Sequence, residues 1–161
     1  IGSICLLVVL VVFLTLSGVI DFFVVANDRK GTIADVGNSE IATWILKNTP
    51  PSSVFLNSSY IYHPASLAGR KIFLGWPYFA WSAGYSKNRM PIMKEMYENS
   101  DNRCQLFDTY DISFITVQDV NNDPNLPNID LSYFLKSFSA TFVSGDKTYA
   151  IFTKEALCSG K

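Results

Sequence analysis

The chain has 161 residues, with 13 basic and 14 acidic side chains, 48% hydrophobic and 14% aromatic content, one histidine and three cysteines. That length carries one domain with a real core rather than two, and near-neutral charge without a basic run argues against a nucleic-acid partner. A mean hydropathy of +0.18 is high for a soluble domain, and the excess has one source, at the N-terminus.

Residues 4–20, ICLLVVLVVFLTLSGVI, carry no charge. With Ile1–Ser3 before them they approach the roughly 20 residues that cross a hydrocarbon core, so a transmembrane helix is predicted over 1–25. A signal peptide would add a Met, a basic n-region and a small-x-small cleavage site. A buried soluble helix would show a polar face, and Ile4–Leu14 has none. The missing Met and the apolar start are read as the last span of a longer membrane protein. Asp21 and the Phe22–Phe23 pair fall where the helix reaches the interface, and Arg29–Lys30 follow. Charge alone does not set the orientation, because the other flank is missing and the positive-inside rule does not bind large domains.

Residues 26–37 read as a linker and 38–161 as a soluble α/β domain. In Asn38–Asn48 the apolar positions Ile41, Trp44 and Ile45 recur at helical spacing. Asn38 or Ser39 is placed to cap the first turn, and Thr49–Pro50–Pro51 stops the helix. Val54–Leu56 and Lys71–Leu74 read as strands. Pro77–Gly84 reads as a helical turn with proline first, and Asn88–Glu98 and Asn102–Tyr110 as helices. Ile112–Val117 is a third strand with β-rich alternation, Asn121–Asn128 a loop, and Ala140–Val143 with Thr148–Thr153 a hairpin across Ser144–Lys147. The expected fold is a small three-layer α/β domain with a mostly parallel sheet and a C-terminal β-hairpin.

One stretch, Ser53–Tyr85, concentrates unusual residues, and strand carboxyl ends in such sheets are where ligand crevices form. The W-I-x-x-N-T-P-P ending of the first domain helix (Trp44, Ile45, Asn48, Thr49, Pro50, Pro51) leads to H-P-x-S-L-A-G-R (His63, Pro64, Ser66, Leu67, Ala68, Gly69, Arg70). Then come Gly75, Trp76, Trp81, Gly84 and Tyr85. With the apolar helix upstream, this pattern resembles the C-terminal part of polytopic membrane glycosyltransferases of the C superfamily, which use polyprenyl-phosphate-linked sugars. These are similar in plan to protein mannosyltransferases and oligosaccharyltransferases. The resemblance implies an integral membrane protein whose soluble domain is extracytoplasmic. It also implies catalytic carboxylates on an early loop outside this fragment, so it supplies no catalytic residue here and no cofactor.

Candidate substrate-binding residues are His63, Arg70, Trp76, Tyr78, Trp81 and Tyr85. His63 suits acid–base work, yet no second catalytic group accompanies it, and a histidine hydrogen-bonded within a loop is the competing reading. The aromatics read equally as a platform for a sugar ring or isoprenoid tail and as packing against a partner. Arg70 reads as a phosphate ligand or as a surface ion-pair residue. No zinc-type ligand spacing is present, and the aspartates Asp108, Asp111, Asp119, Asp123 and Asp130 lack a calcium-loop pattern. Cys104 and Cys158 are a possible disulfide if the domain faces an oxidising compartment. Asn57–Ser58–Ser59 is a formal glycosylation acceptor. Two functions follow: an accessory extracytoplasmic domain of a membrane glycosyltransferase, or a membrane-tethered α/β binding module without catalysis. The expected partners are the bilayer, the missing multi-span part of the same chain, and a lipid-linked sugar or its acceptor.

Overall fold

The computed structural model describes residues 2–27, 36–59, 62–84, 89–98, 101–118 and 127–159. The expected linker lies largely outside them, as do Arg29, Lys30, Tyr85, Asn88, Asp119 and Asp123. The chain divides into two compact units, Ile1–Ile33 and Ala34–Lys161.

The first unit contains α1, Gly2–Asn27, whose most apolar window has a mean hydropathy of 2.9. At 1.5 Å per residue its 26 residues extend about 39 Å, enough to cross a hydrocarbon core. Its described side chains are all exposed. Two polar side chains turn back onto the helix: Thr15 Oγ1 donates to Val11 O at 2.8 Å and Asn27 Nδ2 to Phe23 O at 2.8 Å. Such back-bonding satisfies polar groups where no water is at hand.

In the second unit Ser39 Oγ caps α2, Glu40–Asn48, by accepting from Ala42 N–H at 3.2 Å, as the sequence suggested. The strand β1, Val54–Leu56, leads to α3, Pro64–Leu67, then to β2, Lys71–Ile72. Gly69, at φ 71°, takes the left-handed conformation that ends α3. β2 is shorter than the sequence run because Leu74 pairs with a side chain instead of a strand. Its N–H donates to Asn57 Oδ1 at 3.0 Å and its carbonyl accepts from Asn57 Nδ2 at 2.6 Å. There follow α4, Pro77–Ser82; α5, Met90–Glu98; α6, Arg103–Thr109; and β3, Ile112–Gln118.

Three helices had no expectation in the sequence: α3, and then α7, Leu131–Ser137, after the loop, and α8, Lys154–Cys158, directly after the hairpin strands β4, Phe142–Val143, and β5, Tyr149–Thr153. The last two start at side-chain caps, Asp130 Oδ1 accepting from Tyr133 N–H at 3.1 Å and Thr153 Oγ1 from Ala156 N–H at 3.2 Å. The hairpin turn is made by Asp146, which accepts from Ser144 Oγ at 2.6 Å, and by Lys147 at φ 59°. Gly145 has no positive φ, so the left-handed residue of the turn is the lysine.

The sheet order is β2-β1-β3-β5-β4. It is mixed rather than mostly parallel: β1 pairs parallel with β2 and β3, and β5 pairs antiparallel with β3 and β4. The reason is that the hairpin docks through its second strand, so both of its ladders are antiparallel. The two edge strands have two residues each, which leaves little free edge for unwanted pairing.

Alternate strand residues feed two apolar clusters. One gathers Leu56, Ile115, Val117 and Phe152 with Met93, Phe107 and Phe134. The other gathers Phe55, Tyr149 and Ile151 with Ala42, Ile45 and Ala65. The buried Arg103 joins α5 to α6, donating to Met96 O and Tyr97 O at 2.7 Å each, with its guanidinium 5.6 Å from the Phe134 ring. Cys104 on α6 and Cys158 on α8 form a disulfide with Cα atoms 5.8 Å apart, which ties the C-terminal helix to the core.

Candidate functional site

β1 lies between β2 and β3, so the connections from this part of the sheet leave on opposite sides. In open α/β sheets such a reversal opens a crevice beyond the strand carboxyl ends. Here that position holds a buried polar network. Thr116 Oγ1 on β3 donates to Leu56 O at the end of β1, 2.9 Å away. The Tyr97 hydroxyl donates to Thr116 O at 2.6 Å and lies 3.2 Å from Leu56 O.

His63 completes the network. It is 1% exposed and is the N-cap of α3, its Nδ1 accepting from Ala65 N–H at 3.2 Å. That bond fixes the tautomer: Nδ1 is the acceptor, so the proton sits on Nε2. Nε2 lies 3.1 Å from Thr116 Oγ1 and 3.3 Å from the Tyr149 hydroxyl. Burial lowers the His63 pKa to about 3 and pushes the Tyr97 and Tyr149 phenols up. All three groups are neutral near pH 7, and both imidazole nitrogens are occupied. The network is a polar brace between β1, β3, β5 and α3. Ser58 Oγ, buried close to the Tyr97 hydroxyl, has no partner of ordinary geometry.

Arg70 is also occupied. Nε donates to Thr49 Oγ1 at 3.0 Å, one terminal nitrogen to Ala68 O at 3.0 Å, and the other to Leu46 O at 3.0 Å and Thr49 O at 2.7 Å. A guanidinium has five N–H donors in a fixed fork, and four of them cap the carboxyl ends of α2 and α3. Asn57 is fully buried with its amide engaged by Leu74 and Ser59, so a glycan on it is incompatible with this fold.

The aromatic candidates behave differently. Trp76, Tyr78 and Trp81 are 39%, 60% and 71% exposed, and Phe79, which the sequence reading passed over, is 68% exposed. All belong to α4 or its N-cap. Their rings neighbour one another, with Tyr78–Trp81 centroids 5.9 Å apart and Trp76–Phe79 6.3 Å apart. Pro77 starts this turn and Gly84, at φ 81°, ends it. The structure thus brings Trp76, Tyr78 and Trp81 onto one surface element and assigns His63 and Arg70 to internal bracing.

A second surface feature lies where α2 meets the hairpin: the rings of Trp44 and Phe142, 5.1 Å apart, floor a shallow groove. Among the described residues no group of three or more His, Cys, Asp or Glu is arranged to hold a metal. No family model and no curated protein matches the chain.

Proposed function

We propose that the chain is part of a polytopic membrane glycosyltransferase that takes its sugar from a polyprenyl-phosphate-linked donor. On this reading Ala34–Lys161 is its accessory extracytoplasmic domain, and the catalytic carboxylates lie in another part of the enzyme. The observation that carries the reading is α4. Four large aromatic side chains stand in solvent around one turn, in a stretch without charge from Gly75 to Gly84. A contiguous exposed apolar patch marks an interaction surface, and Trp and Tyr suit both the flat face of a sugar and an isoprenoid chain. The Cys104–Cys158 disulfide supports an oxidising, extracytoplasmic setting. The span-length α1 supports the membrane anchor. The paired apolar clusters on alternate strand residues support a three-layer arrangement of the sheet and its helices.

A tethered binding module without catalysis is the second reading, favoured by the Trp44–Phe142 groove. The test is a transfer assay on membranes carrying the full-length protein and a polyprenyl-phosphate sugar, with Trp76→Ala and Trp81→Ala beside the wild type. Transfer should fall by about tenfold or more at unchanged protein level, about 1.4 kcal/mol of lost transition-state stabilisation. Unchanged transfer in both variants removes α4 from the substrate path. No transfer by the wild type moves the weight to the tethered module.

A further inference from the structure

The outer side of α2 and the β4–β5 hairpin bound a groove of about 440 Å³. Trp44 and Phe142 form its floor, with rings inclined by 34°, each half-buried and packed on the inner side against the second apolar cluster. Glu40, Thr43, Lys47 and Asn48 stand around the rim. The two walls are already fixed to each other: Gly145 N–H on the hairpin donates to Glu40 Oε2 at 3.1 Å across 105 residues of sequence. A ligand entering this groove finds it formed, which lowers the ordering cost of binding.

We propose that this groove is a binding site for a neutral saccharide ring. Its lining selects the class of ligand. A pyranose presents a face of C–H groups and an equator of hydroxyls. The face needs apolar contact, which the exposed parts of the Trp44 and Phe142 rings supply. The hydroxyls need donors and acceptors at the edge. Lys47 offers donors, Asn48 offers its amide oxygen because Nδ2 already donates to Trp44 O at 2.8 Å, and the second Glu40 oxygen is a further acceptor.

The same rim rejects the alternatives. An acyl chain or wholly apolar peptide would cover the exposed heads of Glu40 and Lys47 without giving them partners, which is unfavourable. A phosphate would meet the Glu40 carboxylate. The single ammonium and single carboxylate offset each other, so a neutral polyhydroxylated ligand is preferred over an ion of either sign.

The inference goes beyond the proposed transfer function and does not use α4. Binding is therefore read separately from transfer, and either can fail alone. The experiment uses the full chain in a zwitterionic, sugar-free detergent, titrated with methyl glycosides of mannose, glucose, galactose and N-acetylglucosamine and with short oligosaccharides built from them. Ligand-detected saturation-transfer NMR and tryptophan fluorescence give the readouts. Saturable binding in the millimolar range is expected for at least one sugar. It should weaken about tenfold or more in Trp44→Ala and about threefold in Asn48→Ala and Lys47→Ala. The last two side chains are exposed, so these variants decide the matter even if Trp44→Ala does not fold. The proposal is overturned by no saturable binding of any of these sugars up to about 50 mM. It is equally overturned by binding indifferent to Asn48→Ala and Lys47→Ala, or by inorganic phosphate binding more tightly than every sugar.

Discussion

Among the described residues, His63 should set the acid sensitivity of the domain between pH 7 and 5. Its folded pKa is about 3, against 6.5 for the free side chain, because burial disfavours the imidazolium. The folded pKa is the lower one, so between these values the unfolded chain binds a proton that the folded chain does not. The stabilisation is therefore complete above about pH 6.5 and is lost as pH falls toward 3, at roughly 1.4 kcal/mol per unit once well below 6.5. From pH 7 to pH 5 the linkage integral amounts to about 2 kcal/mol. No other histidine exists in the chain. Asp146 is held below the ordinary carboxylate range, chiefly by the Ser144 hydroxyl, with the Thr148 bonds adding to it, so it titrates outside the window. Urea unfolding of the full chain in detergent, followed by near-ultraviolet dichroism at pH 7, 6 and 5, should show the midpoint falling with pH. In His63→Asn the side-chain oxygen can still cap α3 but cannot titrate, so stability should be lower at pH 7 and flat down to pH 5. In the folded wild type the imidazole Cε1 proton should show no titration above about pH 4. An imidazole titrating near 6.5 in the folded protein, or equal wild-type stability at pH 7 and 5, would refute the bracing role of this histidine.

Two further outcomes follow from the same bonds. Closing a loop with a sequence separation of 54 residues restricts the unfolded chain by about 4 kcal/mol in the chain-entropy treatment, so the Cys104→Ala, Cys158→Ala double variant should lose most of that in denaturant unfolding, and a loss below about 1 kcal/mol would count against the cross-link. Arg70→Lys keeps the charge but not the fork, and should cost about 2–3 kcal/mol of stability while leaving transfer per folded molecule unchanged; collapse of transfer without loss of stability would make Arg70 a phosphate ligand after all.

What could be read from the sequence was local. The α2 helix, its Ser39 cap and the β1 and β3 strands follow from apolar spacing and cap chemistry within a dozen residues. The pairing of the hairpin did not, because nothing in Phe142–Thr153 says which of its strands meets β3. β2 was overread by Phe73 and Leu74, whose apolar character serves the core while an asparagine side chain stands in for the ladder. The short α7 and α8 have too few residues to display a period, although Asp130 and Thr153 ahead of them were readable caps. The roles of His63 and Arg70 depend on Thr116 and Tyr149, and on the Leu46 and Thr49 carbonyls, partners remote in sequence. The Trp44 groove needed Phe142, nearly a hundred positions away.

These placements bear on where chemistry can occur. The β1 and β3 carboxyl ends would ordinarily be the site, yet they hold a histidine whose nitrogens both have partners and two phenols that stay protonated. A general acid or base must exchange a proton with something outside the protein fold, and His63 at 1% exposure has no route to do so without breaking the brace. The polar groups that drew notice in the sequence are thus spent on joining β1, β3, β5, α2 and α3. These braces fix α2 and β5, the elements beside which Trp44 and Phe142 stand, while Trp76, Tyr78, Phe79 and Trp81 stand outward on α4. Among the described residues, it is these aromatic side chains, and not His63 or Arg70, that are presented to a ligand from solvent.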